Sequence, residues 1–306
     1  MRKKKWLKNT LAVLLGVSLA FLGSYYWDTR NDKLIQLRSD LTDHYYNQDQ
    51  LQSLMEETLG KGYSGDLEKD FDHFVISLVM EKLSEKEDEK FQRYNDFMSK
   101  DRLETMSESR KQSVHQIQGE PLDDESYYIK LSSFVDGETY DRFSDLLDEA
   151  KPYKRILIDL RDNSGGHFND YRKISELFLS EGKVIYRLTN SEGETIFKSK
   201  ESKDDLHFDE IVLWVNQNTA SVAELFVLSL KENLDHATVI GTPTYGKPFS
   251  YALREFRDGS GYIFITNQMA GPSGNPIPTD GISPDIIMEQ DDPRLVLKSL
   301  AEAKQE

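Results

Sequence analysis

IVLWVNQNTASVAELFVLSLKE, residues 211–232, decides the fold. Ile211 to Val215 form an unbroken apolar run, which reads as a buried strand. From Ser221 to Glu232 the apolar residues recur at helical spacing. Working outward, Arg155 to Leu160 reads as a second buried strand and Tyr171 to Leu179 as a helix. Tyr127 to Leu131 reads as a strand, Tyr140 to Ala150 as a helix and Val184 to Leu188 as a strand. Strands alternating with helices of this length imply crossover units on a mainly parallel sheet, so the fold class is α/β. Further on, Tyr251 to Phe256 and Tyr262 to Thr266 flank Asp258-Gly259-Ser260-Gly261, a hairpin signal. A last helix is expected near Asp292 to Lys304.

Before Ser126 the character differs. Residues 28–120 are highly charged, with Leu51, Leu54, Met55 and Leu59 at helical spacing. Phe74 to Met80 is the one strongly apolar patch of this stretch, and the charge run Glu81 to Lys90 reads as a solvated helix face or loop. The polar segment Ser107 to Gly119 is the best candidate boundary. The expected organisation is an N-terminal segment 1–27, a helical region 28–125, a core 126–290 and a C-terminal helix 291–306.

Arg2, Lys3, Lys4, Lys5 and Lys8 precede an uncharged run from Asn9 to Trp27. Its 19 residues approach the length that spans a hydrocarbon layer as a helix. A basic flank stays cytoplasmic, which places the chain beyond Trp27 outside the cytoplasm. Tyr25, Tyr26 and Trp27 suit an interfacial belt on a retained signal anchor, so a single-pass protein of the cell membrane is expected. Ser18-Leu19-Ala20 leaves a cleaved signal peptide, and hence secretion, as the alternative.

The chain carries a formal charge of −16, and setting aside the five basic residues before Asp28 leaves −21. Such acidity disfavours nucleic acid and anionic lipid headgroups as partners, leaving polypeptides or small molecules. Plain solubility explains it as well. No cysteine is present, so disulfides and thiolate metal sites are excluded. The six histidines make no metal-ligand pattern, and His167 is given no role.

Three segments carry candidate chemistry. Ser221 opens a helix, where negative charge developing on an attacked carbonyl meets the Val222 amide and the positive end of the helix dipole. A serine there also reads as an N-cap, and Glu224 three residues on completes a capping-box pattern. Lys247 is a candidate base, crowded by Tyr245, Pro248 and Phe249. A lysine accepts a proton only when its amine is held neutral, as burial does; otherwise it is a surface lysine in a loop. Gly165 and Gly166 follow a buried strand at its carboxyl edge, where open α/β sheets place ligands. Paired glycines let backbone amides approach a substrate, or simply make a turn. Arg161 suits either a carboxylate ligand or a brace for Asp159. Nucleophile, base and oxyanion donors are the parts required by a serine hydrolase that lacks a catalytic histidine.

The ordered set of segments resembles the C-terminal processing, or tail-specific, proteases of peptidase family S41. It comprises Tyr127 to Leu131, Ile158 to Gly166, Thr219 to Glu224, Gly241 to Lys247, Asp258 to Ser260 and Gly281 to Asp285. The resemblance implies a crotonase-like ββα core of the ClpP/crotonase type, no cofactor, no metal and polypeptide substrates cut near unstructured C-termini. It places Ser221 on the nucleophile, Lys247 on the general base, and Val222 with Gly165 or Gly166 on the oxyanion donors. Tyr251 stands where the family commonly has a glutamine, four residues after the lysine, and is the candidate third member. The interval from Ser221 to Lys247 is one residue longer than usual, a difference assigned to Asn233 to His236. No PDZ signature appears in residues 60–125. The alternative is a non-catalytic, membrane-tethered relative that binds or scaffolds.

Overall fold

The structure is a computed structural model that describes residues 37–41, 48–113, 117–200 and 206–303. The expected anchor, Asn9 to Trp27, lies outside the described residues. Among the described residues no helix is long and apolar enough to cross a membrane. The chain divides into two compact units between Phe97 and Met98.

In the first unit, helices α1 (Gln48–Leu59) and α2 (Leu67–Ser84) pack through Leu51, Met55, Phe71 and Phe74. Asp66 caps α2 by accepting the Lys69 amide at 3.1 Å. Phe74 to Met80 therefore lies inside a helix, and most of Glu81 to Lys90 is exposed, as the sequence indicates. The short strand β1 (Asp96–Met98) falls at the division.

The second unit starts with helix α3 (Lys100–Ser113), well before Ser126. The polar boundary expected at Ser107 to Gly119 begins inside this helix, which belongs to the second unit because Leu103 packs with Met98 and Ile263. The main sheet is built from β2 (Gln118–Pro121), β3 (Ser126–Lys130), β4 (Arg155–Asp159), β7 (Glu210–Val215), β8 (Ala237–Gly241) and β11 (Ile286–Ile287). Its order is β11-β8-β7-β4-β3-β2, parallel except for β2.

Both faces are covered, which is why the strands read as continuous apolar runs. Ile156, Ile158, Ile211 and Leu213 face one core with helices α4 (Thr139–Ala150), α5 (Phe168–Phe178) and α6 (Val222–Asn233). Leu157, Val212 and Trp214 alternate to the other face, closed by Val296, Leu297 and Leu300 of α7 (Pro293–Ala303). Each such side chain contributes about 1.5–3 kcal/mol by leaving water.

A second, antiparallel sheet contains β5 (Val184–Asn190), β6 (Gly193–Lys198), β9 (Phe249–Glu255) and β10 (Gly261–Ala270). The expected hairpin is β9–β10, with Leu253 opposite Ile263. Ser260 donates through its amide and hydroxyl to Asp258, which fixes the turn.

Candidate active site

The parallel strands β3, β4 and β7 end at one edge, and their following loops border a cavity of about 890 Å³. Ser221, Val222, Gly165, Gly166, Lys247 and Tyr251 all line it. Every site residue expected from the sequence thus meets in one place.

Ser221 precedes α6 with φ 60° and ψ −122°, one of two described non-glycine residues at positive φ. Such backbone costs on the order of 1–3 kcal/mol and persists only where its surroundings impose it. Here those surroundings are visible. Ala220 donates its amide to the Asn163 carbonyl at 2.9 Å, Tyr245 donates to Thr219 at 2.9 Å, and Ser221 donates to Glu224 Oε2 at 2.7 Å. Ser221 is 8% exposed and Lys247 6%.

Glu224 does far more than complete a capping box. Its Oε1 accepts the Thr244 hydroxyl and the Gly246 amide, both at 2.6 Å. Its Oε2 accepts the Lys247 amide at 2.9 Å beside that of Ser221. One fully buried carboxylate thereby staples the serine turn to the lysine loop. Burial pushes its pKa up, while the Thr244, Lys247, Ser221 and Gly246 donors pull the other way. Sequence reasoning missed this role; the capping pattern was visible, but three of the four donors lie 20 to 23 positions downstream.

The glycine loop is fastened differently. Asn163, buried, donates from its side chain to the Leu131 carbonyl at 2.8 Å and accepts the Gly165 amide at 2.9 Å. The Gly165 amide is therefore engaged by its own loop. Gly166 is exposed, with φ 145°, and a Cβ there would sit 2.0 Å from the Phe134 carbonyl oxygen. Of the two glycine amides, that of Gly166 takes no part in these loop contacts. Gly165 packs its Cα face on Ser221 and Val222, where a Cβ would come within 3.0 Å of the Val222 nitrogen. Asp162, also at positive φ, accepts the side-chain amides of Asn216 at 3.0 Å and Asn218 at 2.8 Å.

Arg161 braces Asp159. Its guanidinium donates to both Asp159 oxygens, at 3.0 and 2.8 Å, and stacks 3.3 Å over Trp214. Lys247 presents its Nζ to the Tyr251 ring, 4.5 Å from the centroid. Gly246, at φ 77°, turns the chain into Lys247, and a Cβ there would lie 2.5 Å from the Pro278 and Thr279 carbonyls. The described residues contain no group of three or more side chains suited to a metal ion.

Fold and site together define an α/β protein with a strained serine, a buried lysine and paired glycines at the carboxyl edge of a parallel sheet. Residues 126–288, just over half of the chain, match the model of peptidase family S41. The chain belongs to that family. It is 33% identical over 137 residues to a "Probable CtpA-like serine protease" of Staphylococcus aureus strain N315, covering 44% of this chain and 27% of that protein. It is 31% identical over 164 residues to the chloroplastic carboxyl-terminal-processing peptidase 2 of Arabidopsis thaliana, covering 52% and 31%. Among solved structures, a lipoprotein from Streptococcus agalactiae matches over 91% of this chain and 96% of its own at TM-score 0.55 and 16% identity. The chain thus spans about a third or less of the curated relatives' length, and the family resemblance read from the sequence holds.

Proposed function

We propose that this chain is an extracytoplasmic serine endopeptidase that cuts polypeptides near unstructured C-termini through a Ser221–Lys247 dyad on a crotonase-like ββα core. The observation that supports it most is the Glu224 staple, which spends a buried carboxylate on joining the serine turn to the lysine loop. Lys247 takes the Ser221 proton as the hydroxyl oxygen attacks the scissile carbonyl. The amides of Val222 and Gly166 receive the oxyanion, which collapses to an acyl-enzyme as the leaving amine takes the proton. Water then attacks the acyl group and Ser221 is regenerated. Tyr251 is the third member, holding the lysine by its ring face rather than by an amide. Asn9 to Trp27 serves as the membrane anchor, with the basic Arg2 to Lys8 flank on the cytoplasmic side.

Incubating the full chain with unstructured polypeptides, beside Ser221→Ala, tests this reading. Cleavage by the wild type alone supports it, and the fragment ends give the preference. Two folded proteins that bind peptides yet leave them intact point instead to a tethered binding protein.

A further inference from the structure

The catalytic cavity extends away from Ser221 along an apolar wall that the serine–lysine chemistry does not use. Leu103 and Met106 of α3 line it from one element, and Tyr251 and Leu253 of β9 from another. The same four side chains belong to one apolar cluster with Met98 and Ile263. Leu103 is buried, whereas Met106, Tyr251 and Leu253 are each only half-buried, so part of their apolar surface faces the cavity. Along α3 the neighbours Glu104, Thr105 and Glu108 are exposed, leaving Leu103 and Met106 as the apolar residues that the helix gives to the cavity. Tyr251 ties the wall to the chemistry, since its ring also lies 4.5 Å from Lys247 Nζ.

We propose that Leu103, Met106, Tyr251 and Leu253 form a side-chain subsite for an apolar residue of the bound polypeptide, and that α3 thereby selects the substrate. The proposal rests on the reading of the cavity as a polypeptide site. Four physical points carry it. The wall borders the same cavity as Ser221 and Lys247, so a polypeptide laid across the serine comes within its reach. It is apolar in a protein whose sequence is strongly acidic, so it repels neither a neutral nor an aliphatic side chain. Methionine adapts to varied apolar shapes, and the tyrosine ring adds a broad, rigid apolar face. Finally, α3 precedes the family-matched residues 126–288, so Leu103 and Met106 add to the wall from outside the matched residues while Tyr251 and Leu253 belong to them.

The test uses binding, so that it does not depend on turnover. Full-length Ser221→Ala protein is titrated with fluorescent Gly/Ser-rich peptides carrying one leucine, moved position by position, and with an all-serine control. At one peptide position leucine is expected to tighten binding about tenfold, in keeping with the discrimination that a small apolar pocket achieves. Adding Met106→Lys is expected to abolish that gain and to turn the preference toward aspartate at the same position. Leu253→Ala, a milder change, is expected to reduce the gain several-fold, and thermal unfolding checks that both variants fold. An unchanged leucine gain in both folded variants overturns the subsite. So does equal binding of all peptides by the Ser221→Ala protein. Should the wild type cleave nothing while the leucine gain responds to Met106, the peptidase reading fails and the subsite stands.

Discussion

The glycine loop, Arg161 to Gly166, and the lysine loop, Thr244 to Lys247, border the same cavity and are fastened by opposite electrostatic means. Asp162 lies exposed in the glycine loop, and the Asn218 and Asn216 amides hold its carboxyl below the usual carboxylate range. Glu224 lies fully buried beneath the lysine loop, and burial holds its carboxyl above that range. The glycine loop is therefore braced by a carboxylate whose charge survives acid. The lysine loop rests on a carboxylate that takes up a proton earlier as pH falls, so the two loops are expected to answer pH differently.

The largest departure from this contrast should come from Gly166→Ala. Its methyl would overlap the Phe134 carbonyl, displacing the loop that the proposed mechanism uses as an oxyanion donor. We expect a fall in kcat of roughly 10²–10³, as when one oxyanion donor is lost, with KM changed far less. Steady-state kinetics on a peptide substrate checks this.

Glu224→Gln comes next. Four donors converge on two carboxylate oxygens, so an amide nitrogen must face two of them. Denaturant unfolding should show a loss of about 1–3 kcal/mol, the cost of buried donors left unpaired. The lysine loop should open with it, so kcat should fall further than stability alone explains.

The pH dependence separates the two loops more finely. For Glu224 the folded pKa is raised, so its contribution to stability is fully present below the ordinary value of 4.5 and is lost as pH rises through the folded pKa. Asp162 behaves in reverse, contributing above its ordinary 3.8 and losing that contribution as pH falls through its lowered pKa. Unfolding free energy measured against pH should therefore carry an acid-side limb, a gain toward low pH, that Glu224→Gln removes. Asp162→Ala, the smallest effect, should leave that limb in place and cost about 1 kcal/mol, within the range of ordinary hydrogen bonds. An acid limb that moves with Asp162 and ignores Glu224 would reverse the comparison.

Most of the second unit was legible because its signals are local. The runs at Arg155 and Ile211 are apolar on both faces, and α4, α5 and α6 show helical spacing, with ends within three residues of expectation. Strand β6 was not foreseen: Gly193 to Lys198 is largely exposed and carries no buried run. Helix α3 falls in the stretch read as helical, but its membership of the second unit was hidden because it anchors through two apolar residues, Leu103 and Met106, that pack on Tyr251, Leu253 and Ile263 some 150 positions away. The same limit applied at the site. Ser221, Lys247, Val222 and the glycine pair stand in recognisable segments. The work of Asn163 and Glu224 depends on donors and acceptors that only folding brings near.

Ser221 as nucleophile and Lys247 as its base are tested together by reacting the full chain with a small phosphonylating probe and locating the adduct by mass spectrometry. We predict a single adduct on Ser221 whose formation slows about 10²–10⁴-fold in Lys247→Met, the range supplied by a positioned general base. Labelling on another residue, or a rate on Ser221 indifferent to Lys247, would contradict the dyad.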